Sequence, residues 1–161
     1  NSVGVQTVKR ASRLWMERVG KFLPENADKK FTAQRGILAS IVEGEAKIEE
    51  ERPILAGIFL NRIDKWMPLQ SCATVIYCWD ELGIKKKNLT YKDLEIDSPY
   101  NTYRNSGLPP GPISVPSEDS WLSALQPAKT DYLFFFATPE GNHIFSGTYE
   151  EHLKKQKEMT E

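Results

Sequence analysis

The stretch Gly36-Ile-Leu-Ala-Ser-Ile-Val-Glu-Gly-Glu45 constrains this chain more than any other. Set at about 100° per residue, Ile37, Leu38, Ile41 and Val42 share one wide apolar arc. Gly36, Ser40, Glu43, Gly44 and Lys47 fall on the opposite arc. The pattern is that of a helix with one side in a core and almost no side-chain bulk on the other. Glu43 then stands on a rigid element, on a face trimmed to admit something, as an acid/base catalyst must. A solvated Glu on an ordinary amphipathic helix leaves the same trace, so the argument has to draw on the rest of the chain.

A chain of 161 residues is most simply one domain, able to bury about two thirds of its unfolded surface. Its 21 basic and 22 acidic residues give a net charge of −1 with no long run of one sign. That balance argues against nucleic-acid or membrane-surface binding by electrostatics. The longest apolar runs, Ile54-Leu-Ala-Gly-Ile-Phe-Leu60 and Tyr132-Leu-Phe-Phe-Phe-Ala137, are too short to span a bilayer. No signal peptide is visible and the chain begins abruptly at Asn1, as a truncated or released domain would. Cys72 and Cys78 make neither a disulfide framework nor a metal site, and a bond between them would need the intervening backbone to bend. With His143 and His152 as the histidines, neither a metal centre nor a cofactor is expected.

In chain order, Val5, Val8, Ala11, Trp15, Val19 and Phe22 recur at helical spacing, giving an amphipathic helix over about 3–23. A polar link over 24–30 follows, and Thr32 is the expected N-cap of the helix carrying Glu43. That helix should stop near Gly44 to Lys47. Continued further, it would turn Glu45 into the apolar arc, at a cost of several kcal/mol unless a partner such as Arg52 or Arg62 met it. Glu51-Arg-Pro53 suits the first turn of another helix, reaching Asp64 with Asn61 and Arg62 on its polar edge. Residues 66–71 read as loop, and the β-branched content of Ala73-Thr-Val-Ile-Tyr-Cys78 leans toward a strand over a buried helical turn. Thr90-Tyr-Lys-Asp93 is a capping box with Asp for Glu. Ser98-Pro-Tyr-Asn-Thr-Tyr103 and Gly107-Leu-Pro-Pro-Gly-Pro-Ile113 are stiff, non-helical and largely exposed. Ser117 caps a helix ended by Pro127, residues 132–138 and 143–145 form a hairpin, and Thr148-Tyr-Glu-Glu151 caps the last helix. The fold expected is a single α+β domain: several helices packed with a small antiparallel sheet, the Glu43 helix beside a cleft. Residues 1–32 would form its N-terminal helix and linker and 33–161 its catalytic unit.

The loops carry the chemistry. Ser98, Tyr100, Asn101, Thr102 and Tyr103 set hydroxyls, an amide and two rings beside a stiff loop, a mixture suited to sugars. A packed tyrosine corner with Asn in a turn fits the same residues equally well. Gln70, Ser71 and Thr74 form a second polar group, and His143 with Phe145 a third wall. No Gly-x-Ser-x-Gly elbow or phosphate loop is present.

Several blocks then occur in one order: Leu38-Ala-Ser-Ile-Val-Glu-Gly-Glu45, Glu51-Arg52, Phe59-Leu-Asn-Arg62, Met67-Pro-Leu-Gln-Ser71, Thr74-Val-Ile-Tyr77, Ser98–Tyr103, Gly107–Ile113 and Gly141-Asn-His-Ile-Phe-Ser146. The series resembles the catalytic domain of the MltG (YceG-like) endolytic murein transglycosylases of bacteria, over roughly residues 33–152. The resemblance implies a peptidoglycan glycan-strand substrate, cleaved between N-acetylmuramic acid and N-acetylglucosamine without water to leave a 1,6-anhydro-muramic end. It implies action outside the cytoplasmic membrane, partners among cell-wall synthesis proteins, no nucleic acid, and a membrane anchor that lies outside these residues. Glu43 matches the family's acid/base Glu, which protonates the glycosidic oxygen and then takes the proton of the sugar's C6 hydroxyl, its pKa raised by an apolar site. Glu45 matches a second Glu, implied to order the site through Arg52 or Arg62, with Asn61 beside them. Gln70, Ser71, Thr74, Tyr100, Asn101, Tyr103 and His143 are the implied glycan contacts. One position departs: Cys72 stands where the family usually has Asp. That loss leaves open a weakly active or inactive glycan-binding or scaffold relative, and a hydrolase pairing Glu43 with Glu45, Asp97 or another acid is the other competing chemistry.

Overall fold

A computed structural model describes residues 2–160 of the chain. The helices are α1 (Ser2–Arg18), α2 (Lys29–Glu45), α3 (Arg52–Asp64), α4 (Cys72–Glu81), α5 (Glu118–Leu125) and α6 (Tyr149–Thr160). Short 3-10 turns lie at Gly20–Phe22, Glu49–Glu51 and Lys92–Glu95. One antiparallel hairpin, β1 (Phe134–Ala137) and β2 (His143–Ser146), pairs Phe134 with Ser146 and Ala137 with His143. The arrangement is α+β in one unit, as the sequence pattern predicts. Among the described residues no helix is long and apolar enough to cross a membrane.

The core forms where α2, α3 and α5 meet. Leu38, Ile41 and Val42 of α2 are sealed against Leu55 and Phe59 of α3, Leu69 of the following loop and Ala124 of α5. Each large side chain buried this fully contributes about 1.5–3 kcal/mol. Two glycines set how closely the helices approach. A Cβ on Gly36 would lie 2.7 Å from the Trp121 ring, and one on Gly57 would lie 2.4 Å from the Ala128 carbonyl oxygen. The second approach is fixed by the Ala128 amide, which donates to the Pro53 carbonyl at 2.9 Å and docks the chain after α5 onto α3.

Three elements differ from the sequence expectation. Residues 73–78 are helical, inside α4, because their buried face follows a 3.6-residue period (Ala73, Thr74, Val75, Cys78) that outweighs β-branched propensity. Both cysteines are free thiols on that helix, Cys72 exposed and Cys78 buried. The α2 N-cap is Asp28, whose carboxylate accepts from the Phe31 amide at 2.7 Å; Thr32, a turn later, bonds back to the Asp28 carbonyl. In α1 the periodic stripe is real but little of it has a partner. Val5 and Val8 are exposed, and only its last turn is anchored, through Trp15 edge-on to Trp121 at 5.0 Å and through buried Val19 just beyond. Periodicity specifies a helix without specifying how far the core reaches along it.

The capping boxes form as read. Thr90 and Asp93 exchange amide-to-side-chain bonds, although they open a 3-10 turn rather than an α-helix. The Glu151 amide donates to Thr148 Oγ1, while the Glu151 carboxylate reaches one residue further back, to the Gly147 amide. Substituting Gly57→Ala forces the Ala128 backbone away and should destabilise the fold by about 1–3 kcal/mol. Urea unfolding reads this as a lower midpoint at unchanged slope.

Candidate active site

The last turn of α2 carries two carboxylates, and each meets the start of another helix. Glu43 faces α5. Its Oε2 accepts from the Ser117 amide at 3.0 Å, the Ser117 hydroxyl at 2.6 Å and the Ser120 hydroxyl at 2.6 Å, while Oε1 has no donor among the described residues. Ser117 is also the α5 N-cap, accepting from the Ser120 amide at 3.3 Å. Glu45 faces α4, where its Oε1 accepts from the Ser71 hydroxyl and from the Ala73 amide at 2.9 Å. A negative charge at a helix N-terminus meets both unpaired N–H groups and the positive end of the helix dipole.

This pairing corrects the expected role of Arg52 and Arg62 as the partners of Glu45. Arg62 is 5 % exposed, and its guanidinium donates to the carbonyls of Leu133 (2.6 Å), Pro68 (2.9 Å) and Leu69 (3.1 Å) and to Gln70 Oε1 at 3.4 Å. It ties the 66–70 loop to the lead-in of the hairpin, and burial lowers its pKa. Arg52 is different. Its side chain is 11 % exposed, its Nη1 approaches Glu49 at 3.7 Å, and its buried Nε and Nη1 have no hydrogen-bond partner among the described residues. Its charge acts on Glu43.

Burial has the largest effect on Glu43 and pushes its pKa up. The two serine hydroxyls, the Ser117 amide and Arg52 together outweigh burial and hold it below the usual carboxylate range. The sequence argument asks for a raised value, and the free protein has the opposite. The cause is the start of α5, which supplies more donors than the apolar surroundings remove water.

The small face of α2 is covered by this chain itself. The 107–117 segment runs along it, with the Ile113 amide donating to Ser40 Oγ at 3.0 Å and Ser114 Oγ donating to the Ser40 carbonyl at 3.1 Å. A Cβ on Gly44 would lie 2.7 Å from that of Ala73. Gly36, Ser40 and Gly44 thus admit α5, the Pro-rich strap and α4. Glu43, partly exposed, emerges among them.

The other sequence-predicted residues divide by their partners. Ser71, Thr74 and Glu45 join one buried network through Thr102, whose Oγ1 accepts from the Ser71 amide at 3.0 Å and pairs with Thr74 Oγ1 at 2.8 Å. Cys72 Sγ lies 3.3 Å from the Tyr103 hydroxyl on the exposed side of that network. Burial is the largest effect on both groups and raises both pKa values; the Tyr103 hydroxyl offsets part of this at Cys72, while Cys72 raises Tyr103 and Glu45 raises both, so thiol and phenol stay protonated. Tyr100 packs on Tyr77 with ring centroids 4.9 Å apart and stands against Gly111 of the strap. Gln70 holds a left-handed backbone, φ 52°, and donates its amide to the Thr102 carbonyl.

Three residues sit elsewhere. Asn101 is fully buried, its amide donating to the Leu94 and Ile96 carbonyls and its oxygen accepting from the Tyr103 amide, so its side chain organises the turn. Asn61 donates to the Thr130 and Tyr132 carbonyls and positions the hairpin lead-in. His143 is buried against Glu51, which accepts from its amide at 2.9 Å and from Nδ1 at 2.6 Å. Ser117 and Ser120 are the residues the sequence argument missed as site members, while Thr102, named there only within the 98–103 polar group, links Ser71 to Thr74. Ser117 signals only a helix cap, and nothing local links it to a Glu 74 positions earlier. A cavity of about 370 Å³ between Glu49, Glu50, Pro53, Asp119 and Leu122 does not include Glu43.

The YceG-like family model matches residues 3–158. An endolytic murein transglycosylase of Bacillus subtilis (strain 168) is 50% identical over 117 residues, which are 73% of this chain and 32% of that protein. One from Streptococcus pneumoniae serotype 2 is 41% identical over 118 residues, 71% of this chain and 21% of that protein. The crystal structure of a YceG-like protein from Listeria monocytogenes superposes with a TM-score of 0.66 at 50% identity, covering 73% of this chain and 37% of that one. The chain thus spans a third or less of the length of these curated relatives.

Replacing Glu45 by Ala strands the Ser71 hydroxyl and the Ala73 amide. It should cost about 1–3 kcal/mol of stability. Glu45→Gln, which keeps an acceptor oxygen for both donors, should cost less, and urea denaturation of the two variants gives the comparison.

Proposed function

The chain belongs to the YceG-like family, and on that premise we propose that it is the glycan-cleaving part of a lytic murein transglycosylase, with Glu43 as its acid and base. The observation that carries the reading is the unequal treatment of two neighbouring carboxylates. Glu45 is committed to the start of α4, whereas Glu43 is fixed through one oxygen and offers the other. Asp97, the other carboxylate considered for a two-acid hydrolysis, is almost fully exposed and 4.0 Å from Arg104. A hydrolase needs two positioned carboxyls. Intramolecular transglycosylation needs one, used twice.

In the proposed reaction, protonated Glu43 gives its proton to the oxygen linking muramic acid to glucosamine, and the bond from that oxygen to muramic C1 breaks. The C6 hydroxyl oxygen of the same sugar bonds to C1, and its proton returns to Glu43. No water is consumed, the enzyme ends as it began, and the product carries a 1,6-anhydro ring. Arg52 opposes protonation in the free site and stabilises the carboxylate formed midway. Tyr100, Tyr103 and Gln70, on the segments beside the last turn of α2, are the proposed glycan contacts, and Ser71 and Thr74 support them through Thr102. The site of action would be the cell wall, with cell-wall synthesis proteins as partners and an anchor outside these residues. The Cys72 substitution weighs less against activity than its position suggests, because the groups bonded to Glu43 come from α5 and do not include Cys72.

Mass spectrometry of glycan strands digested with the chain should find anhydro-muramic ends, reduced at least about a hundredfold in Glu43→Gln. Reducing ends would mean hydrolysis. An inert chain that Cys72→Asp activates would favour the silenced-relative reading. The pH profile gives a second check. A general acid works protonated, so activity falls as pH rises through its pKa. A lowered Glu43 in the free protein puts that fall in kcat/KM at acidic pH. A bound strand excludes water and adds to the burial that already pushes Glu43 up, so the fall in kcat should lie at higher pH than that in kcat/KM.

A further inference from the structure

We propose that Ser117 and Ser120 are positioning residues for Glu43: together they lock Oε2 onto the first turn of α5, so that Oε1 alone carries the proton to and from the sugar. The inference rests on the reading of Glu43 as the acid and base, and extends it to which oxygen reacts and what fixes it.

The geometry is one-sided. All three donors converge on Oε2, two of them hydroxyls at 2.6 Å, within the range of short charge-assisted bonds. Both hydroxyls are themselves fixed. Ser120 is fully buried, and the Ser117 hydroxyl is held by its role as the α5 cap. A Glu side chain has three rotatable bonds, and a carboxylate clamped through one oxygen keeps only one orientation for the other. The α5 helix is in turn held to α2 by Trp121 against Gly36, so clamp and carboxylate ride on one rigid pair of helices.

The serine hydroxyls also set when Glu43 takes its proton. Donors on Oε2 favour the carboxylate, which eases proton release to the glycosidic oxygen and opposes proton return from C6. The ionisable groups on the surrounding elements are few. Glu45 on α2 faces Ser71 and Ala73, Arg52 on α3 acts on Glu43, and Cys72 on α4 faces Tyr103. Glu118 and Asp119 lie in the first turn of α5, Glu118 paired with Arg18 at 3.6 Å, and Lys47, Glu49, Glu50 and Glu51 lie on the connection to α3, Glu49 beside Arg52 and Glu51 bonded to His143. The strap over 107–117 brings no charge. Of these, Arg52 is the opposite charge that acts on Glu43, and it remains once the serine hydroxyls are removed.

The test is a carbon-13 titration of the Glu43 carboxyl, assigned by its loss in Glu43→Gln, in wild type, Ser120→Ala, Ser117→Ala and Ser117→Thr. Ser120→Ala keeps the α5 cap, so thermal unfolding should leave it folded. Its Glu43 pKa should rise by about one to two. Ser117→Ala should raise it as well, and Ser117→Thr, which restores a hydroxyl, should return it toward wild type. An unchanged titration in a folded Ser120→Ala overturns the clamp. The activity arm follows the same variants: the alkaline fall in kcat/KM should move up in pH with the titration, and kcat should drop about tenfold as Oε1 loses its fixed direction. Glu43-dependent cleavage with an unmoved profile rejects the clamp and keeps the proposed function. A shifted titration in a chain that does not cleave, or that cleaves equally well as Glu43→Gln, does the reverse.

Discussion

Everything at the site depends on how closely other elements approach the last three turns of α2. Gly36 admits the Trp121 ring, Ser40 takes bonds from the strap on both its hydroxyl and its carbonyl, and Gly44 lies against Ala73. A Cβ on Gly36 or Gly44 would lie 2.7 Å from Trp121 or Ala73, inside van der Waals contact, so α5 or α4 would have to shift away. The start of α5 would then fall short of Glu43, and the start of α4 short of Glu45. The apolar face of α2 stabilises the fold, while the small face determines what surrounds the carboxylates.

Two acids at the C-terminal end of one helix are an electrostatic liability, since the helix dipole is negative there. The fold resolves it by aiming the N-termini of α4 and α5 at the same turn. Each carboxylate takes backbone and hydroxyl donors that would otherwise lack partners in the first turn of a helix. The two outcomes differ in what is left over. Glu45, through the Ser71–Thr102–Thr74 network, becomes part of the support for the 98–103 segment. Glu43 keeps an unused oxygen. Their opposite directions follow from a separation of two residues, about 200° around a helix.

Much of this was legible in sequence because it is local. The apolar arc of α2, the Pro53 start of α3, the Thr90–Asp93 and Thr148–Glu151 caps and the hairpin with Gly141 at its turn are each encoded within a few residues. The failures involve distance. The strand lean at 73–78 counted β-branched residues, whereas burial in the fold favours a helical period. Charge alone points to Arg52 and Arg62 as partners for Glu45, but the carbonyls of 68, 69 and 133 claim Arg62, and the Ser71 hydroxyl and Ala73 amide take Glu45 instead. Asn101 and His143 carry chemistry-capable groups that the fold spends on turns and ties, a use invisible without knowing that Leu94, Ile96 and Glu51 lie beside them. Ser117 illustrates the limit best, since a helix cap and a carboxylate clamp have the same one-residue signature.

If Glu43 is the acid and base of the proposed reaction, the clamp also bears on which ligands would activate it. In the free protein the donors on Oε2 and the Arg52 charge outweigh burial and favour the carboxylate, the wrong form for the first step of the proposed reaction. Burial is nevertheless the largest single effect, and it is the one a bound strand increases. In the proposed reaction a short or loosely held ligand would leave water on Oε1 and the group ionised. A strand seated along Tyr100, Tyr103 and the strap would exclude that water, move the balance toward the protonated acid, and place the linking oxygen beside the proton. Substrate length would then be read as desolvation, with the energy of binding remote sugars used at the reacting bond.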